Sequence, residues 1–179
     1  MFPKIVTLAG FGLLLSPLTV LATGNAFNFD CDTPAGRFSQ VEMPVGVGGV
    51  VVTGELQLNE ARSDPRWVPT AFVMLHNGEP ESGVGFRAAV LRESADKITL
   101  HAQNLEIDDL SAFGSVPWAT KTIPFKLELS KSGQMIVSAG SETIEVEDSL
   151  KLASTLSLGC STGDFSFREI RISSQTPEM

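Results

Sequence analysis

From residue 27 onward, segment after segment alternates apolar and polar residues with a period of two, and none keeps an apolar period near 3.6 for long. In "VVVTGELQL", Val50, Val52, Leu56 and Leu58 share one face while Thr53, Glu55 and Gln57 share the other. "KITLHAQ" sets Ile98, Leu100 and Ala102 against Lys97, Thr99, His101 and Gln103. "FKLELS" sets Phe125, Leu127 and Leu129 against Lys126, Glu128 and Ser130, and "TIEVE" sets Ile144 and Val146 against Thr143, Glu145 and Glu147. A strand with one dry and one wet face belongs to an antiparallel sheet. "TAFVMLH" is apolar on both faces, as is much of "VGFRAAVL", which predicts central strands with the second face partly covered. "HNGEPESG", "SKSG", "SAGS" and "STGD" punctuate the segments as turns. Many short strands so punctuated make an all-β, two-sheet antiparallel β-sandwich or a barrel. The one helical candidate is "LEIDDLSAF", a single turn inside a connection running from about residue 104 to 119, long for a sandwich loop.

The first 26 residues do not belong to this pattern. Lys4 precedes the apolar run "IVTLAGFGLLLSPLTVLA", which Pro17 interrupts and small residues follow, with cleavage expected after Ala22 or Ala26. This reads as a secretory signal peptide, with a membrane anchor as the competing reading that Pro17 and the short run disfavour. Its removal leaves residues 27–173 as a single sandwich domain, a frayed polar tail at 174–179 and no transmembrane segment in the mature chain. The expected location is outside the cytoplasm: periplasmic in a Gram-negative bacterium, otherwise secreted. The net charge is −8, and loss of Lys4 makes it more negative still. Such a surface repels phosphate backbones and argues against nucleic acid as a partner. Cys31 and Cys160 are the only cysteines. In an oxidising compartment they most simply form one disulfide, the alternative being two buried free thiols.

The closing segment "LGCSTGDFSFREIRI" refines the architecture. Leu156, Leu158 and Cys160 share a core face, "STGD" is expected to turn the chain, and Phe165 and Phe167 return to the core. Ile170 and Ile172 then fall one residue out of phase, which predicts a β-bulge near Arg168 and Glu169. "FNFDC" alternates Phe27, Phe29 and Cys31, so a Cys31–Cys160 bond would lay the first strand beside the end of "TLSLGC". The run aromatic, polar, aromatic, two residues, Ile-x-Ile resembles the closing strands of concanavalin A-like, laminin-G-type jelly rolls of the lectin and glucanase superfamily. That resemblance implies a jelly roll. It implies no one activity, because the superfamily includes lectins, glycoside hydrolases and adhesive modules.

Candidate sites follow from chemistry. A retaining glycosidase needs two carboxyl groups about 5–5.5 Å apart. The resemblance directs attention to Glu-x-Asp-x-Glu on one strand face, and "IEVED" offers only Glu145 and Glu147, weak catalytic candidates beside the plain reading of a wet strand face. Sugars stack on flat rings. The chain has no tyrosine and two tryptophans, Trp67 and Trp118, both in or beside presumed loops, where they are either ligand contacts or plugs of the sandwich end. His76, Arg87 and His101 could line one sheet face and hydrogen-bond a ligand if their strands are neighbours. Calcium wants clustered oxygen ligands. Asp30, Asp32 and Asp164 near the cysteines are weak candidates, as are Glu106, Asp108 and Asp109, although Asp is also an ordinary turn residue. The reading that ranks first is an exported, non-catalytic module binding glycan or envelope polysaccharide, with Trp67, Trp118, Arg87, His76 and His101 at the ligand. A structural or protein-binding envelope component follows, and a glycoside hydrolase comes last. No cofactor is expected apart from the calcium option.

Overall fold

The computed structural model describes residues 25–46, 48–79, 82–120, 122–146 and 150–174. The expected leader, most of the polar tail and Glu147 therefore lie outside the described residues. Ten strands follow in order: β1 Phe27–Pro44, β2 Val50–Ala61, β3 Thr70–His76, β4 Val84–Ala89, β5 Lys97–Asn104, β6 Asp109–Pro117, β7 Ile123–Leu129, β8 Met135–Ala139, β9 Glu142–Val146 and β10 Thr155–Ser174. All pairings among them are antiparallel. The neighbours run β6-β5-β4-β3-β10-β2-β7-β8-β9, and β1 pairs with β10. No helix among the described residues is long and apolar enough to cross a membrane.

The twenty-residue strand β10 makes this path a sandwich. Its first part, Thr155–Ser161, pairs with β3, and its second, Gly163–Ser174, pairs with β2. The two flanks thus fold over a common spine, and Phe86 of β4 meets Phe125 of β7 across the interior at a ring separation of 5.3 Å. Alternation supplies the filling: Leu75, Phe86, Ile98, Leu100, Leu127, Phe165 and Phe167 are all fully buried. The dry faces read from the sequence for β2, β5 and β7 are the inward faces, with Leu58 only partly covered.

β1 follows β10 across both flanks, and the Cys31–Cys160 disulfide is formed. The bulge is present: Glu169 has φ 51, and one extra residue separates Arg168 from Arg171 relative to β2. Inserting that residue turns both Phe167 and Ile170 inward, which explains the phase slip.

Four expectations need correction. "STGD" does not reverse the chain; Thr162 takes φ 58, and β10 runs on, bending from one flank to the other. The stretch from 109 to 117 is strand β6 rather than loop. It lies at the end of the sheet path and buries no residue fully, so it carries no dry-face alternation to read. Residues 105–108 form only the turn that precedes it, and the helical turn of the described residues is at Arg92–Ser94 instead. Finally, Ser174 still pairs with Val50, so order extends one residue past the expected boundary.

Candidate functional site

The outer face of the β3 flank forms a groove of about 810 Å³, within the usual range for ligand sites. Strand register arranges this face of the sheet in cross-strand rows, most of whose exposed side chains line the groove. The first row contains Phe38, Ser161, Thr70 and Ala89. The second is Gln40, Gly159, Phe72, Arg87 and His101; the third is Glu42, Ser157, Met74, Gly85 and Gln103; the fourth is Pro44, Thr155 and His76. Walls rise from the β1 irregularity around Gly36 and Arg37, from Arg66–Val68, and from Gly78 and Glu79.

The expected double-faced strand β3 is therefore correct, and its second face is the floor. Gly159 is small enough for the Phe72 ring to lie across it; a Cβ there would sit 2.3 Å from Phe72 Cζ. Phe38 stacks on Phe72, centroids 5.6 Å apart and planes 5° from parallel, yet it stays 59% exposed. Trp67 is 55% exposed on the adjoining wall. Asp64 shapes that wall by accepting the backbone N–H of Arg66 (2.8 Å) and of Trp67 (3.0 Å). Those bonds, the one from Arg66 first, hold its carboxyl below the ordinary carboxylate range.

His76, Arg87 and His101 stand on three neighbouring strands, on one face; His76 and Arg87 line the groove, and His101 does not. His76 Nδ1 lies 2.7 Å from the Ser82 carbonyl oxygen. A carbonyl can only accept, so Nδ1 carries the proton, and a neutral ring keeps Nε2 as an acceptor. Arg87 is half-buried, and burial pushes its guanidinium below the ordinary arginine value. His101, opposite Arg87, is lowered from 6.5 by burial first and by the Arg87 charge second. Folded His101 thus favours the neutral ring. Its contribution is fully present above pH about 6.5 and is lost as pH falls through the lower folded value. Thermal melts from pH 7.5 down to 5 should show a stability decline that shrinks in His101→Gln; an unchanged profile in that variant would remove His101 as its source.

The other sequence candidates lie elsewhere. Trp118 is 38% exposed beyond the end of β6, donates its backbone N–H to the Asp96 carbonyl (2.9 Å), and does not line the groove. Glu145, on β9 at the far end of the path, accepts a hydrogen bond from Gln134 Nε2 at 2.7 Å. Its expected partner Glu147 is outside the described residues. The register does bring Asp32 opposite Asp164, but cations and amides claim the acids: Arg62 holds Asp32 at 2.6 Å, Arg168 holds Asp30, and Asn59 donates to Asp164 at 3.2 Å. Asn104 Oδ1 accepts from the Glu106 backbone, and Asp109 accepts from Ser111, as turn residues do. No group of three or more His, Cys, Asp or Glu able to hold a metal occurs among the described residues.

Sequence reasoning missed Phe38, Phe72, Arg37, Arg66, Gln40 and Gln103 as groove residues. The two-faced apolarity of "TAFVMLH" was the one signal that pointed to this face.

No protein-family model and no curated protein sequence matches the chain. Solved structures do. An alginate lyase from Pseudomonas aeruginosa superposes with a TM-score of 0.52 at 16% identity, over 72% of this chain and 65% of that one. A legume lectin-like domain from Entamoeba histolytica gives 0.52 at 10% identity, over 83% and 90%. A carbohydrate-binding module from Bacillus subtilis gives 0.50 at 12% identity, over 85% and 94%. The chain thus spans just under two thirds of the lyase and nearly all of the module. The likeness is one of fold, an antiparallel two-sheet jelly-roll sandwich.

Proposed function

We propose that this protein is an exported glycan-binding module and that a saccharide chain lies along the β3-flank groove. The observation that carries this reading is the aromatic cluster: Phe38 is held flat on Phe72 yet remains open to solvent beside Trp67, inside the groove. Exposed, pre-oriented rings offer the apolar face of a sugar a stacking surface at little entropic cost. Gln40, His76, Arg87 and Gln103 add donors and acceptors for hydroxyl groups. Binding modules and lectin-like domains share the fold, and the apolar leader with a long-range disulfide supports export.

Trp67→Ala and Phe38→Ala should each weaken glycan binding about tenfold or more, since a well-placed aromatic contact is worth roughly 0.5–1.5 kcal/mol beyond its buried area. Both side chains are exposed, so melting temperatures should stay near wild type. Titration calorimetry against a broad oligosaccharide panel checks this. Undiminished binding by both variants, or a panel without a single ligand, would refute the reading.

A further inference from the structure

The arginines divide into two groups. Arg62 pairs with Asp32 and Glu60, Arg168 with Asp30, Arg171 with Glu169, and Arg92 donates to the Asp64 carbonyl oxygen. Arg37, Arg66 and Arg87 are the remaining three, and all three line the groove. No side-chain hydrogen bond or ion pair engages any of them among the described residues. In a chain of net charge −8, where acids to pair with are plentiful, the guanidinium groups without a close ion pair are gathered in one cavity, Arg66 alone of them feeling a nearby carboxylate, that of Asp64.

Their placement along the groove is uneven. Arg37 and Arg66 stand on the walls near the first row, beside Phe38 and Trp67, and Arg87 stands in the second row. The groove's carboxylates stand further along: Glu42 in the third row, accepting from Gln40 at 2.8 Å, and Glu79 just past His76. Asp64 stands behind the first-row wall, next to Gly36 and within electrostatic reach of Arg66, but it does not line the groove. The lining itself therefore has its three guanidinium groups toward one end and its carboxylates toward the other. Arg87 is the most telling of the three because it is half-buried. A cation partly withdrawn from water without a counter-charge is unfavourable, and an arriving anion relieves that cost. Burial already pushes its guanidinium below the ordinary value, and opposite it stands His101, a ring held toward neutrality rather than a competing acid.

Building on the glycan-binding reading, we infer that the groove selects acidic saccharides, seating a carboxylate or sulfate ester at the Phe38–Trp67 end where Arg37, Arg66 and Arg87 receive it. The planar, two-pronged donor set of a guanidinium matches either oxyanion. The carboxylates at the opposite end disfavour a second anionic substituent there, so the fit is to a chain whose charge is concentrated at one position.

The test uses the disulfide-bonded protein and three probes of equal length: a uronic acid oligosaccharide, its carboxyl-reduced neutral counterpart, and a sulfated neutral oligosaccharide. At least one acidic probe should bind about tenfold or more tightly than the neutral one, as expected for a charge-assisted hydrogen bond. The advantage should shrink with added salt, and which acidic probe prevails identifies the anion. Arg87→Gln should abolish the advantage. Because Arg87 is half-buried, the double variant Arg37→Gln/Arg66→Gln, at two exposed positions, provides a second reading that should reduce the advantage without moving the melting temperature. Equal or tighter binding of the neutral probe overturns the inference while leaving glycan binding intact. Loss of all binding, neutral and acidic alike, in the wild type overturns both. An acidic advantage that survives in all the arginine variants also overturns the assignment.

Discussion

Replacing Cys31 and Cys160 together by alanine should lower the melting temperature by about 8–20 °C. The bond spans 129 residues of sequence, and closing so long a loop removes chain entropy worth about 4–5 kcal/mol from the unfolded state. For a domain of this size each kcal/mol corresponds to roughly 2–4 °C. The location enlarges the local consequence. Cys160 lies on the part of β10 that pairs with β3, and Cys31 lies opposite Phe165, on the part shared with β2. The bond thus ties the two flanks where β10 bends at Thr162. Both sulfurs are buried, so the alanine pair also leaves a small unfilled volume, which adds to the loss. Calorimetry of the double variant, set against the wild type with and without reductant, measures it. A drop below about 3 °C would show that the unfolded chain gains little from release of the loop.

Phe167→Ala should cost about 3–5 kcal/mol, the usual range for emptying a fully buried aromatic site. Phe167 is completely buried and stacks on Phe29 of β1 at 5.7 Å, and it immediately precedes the bulge that turns Ile170 inward. Truncation therefore removes core volume and one side of the contact that holds β1 against β10. Denaturant titration should show a lower midpoint with an unchanged slope. Phe38→Ala, at a ring 59% exposed, serves as the contrast and should fall within about 0.5 kcal/mol of wild type. Equal losses in the two variants would mean that burial does not govern the difference.

What could be read from the residues depended on how each segment is buried. β2, β5 and β7 have one face in the core and one in water, and their alternation gave their inward residues almost completely. The phase slip between Phe167 and Ile170 located the bulge, because burial on both sides of it left no other way to turn both residues inward. β6 was hidden for the opposite reason: half-exposed along its length, it has no dry face to betray a strand. The bend at Thr162 was read as a turn because Ser-Thr-Gly-Asp is turn chemistry, while the pairing of β10 with β1, β2 and β3 overrides that local preference. The groove was the least legible part. Its floor joins residues of β1, β3, β4, β5 and β10, and single-strand patterns do not tell which strands become neighbours. Phe38 and Arg37 lie in a stretch without a readable alternation, and they reach the groove because β1 lies against β10.

The shared strand also sets an order of events. Every pairing partner of β1 among the described residues lies in β10, roughly a hundred residues or more away in sequence, and β10 is likewise the strand that pairs with both β3 and β2. The hairpins β3-β4-β5-β6 and β7-β8-β9 can form early, from neighbouring segments, but neither flank can be docked onto the other until the last strand is available. The first described strand thus waits for the last, and a nascent chain stays open along β1 until β10 arrives to pair with it.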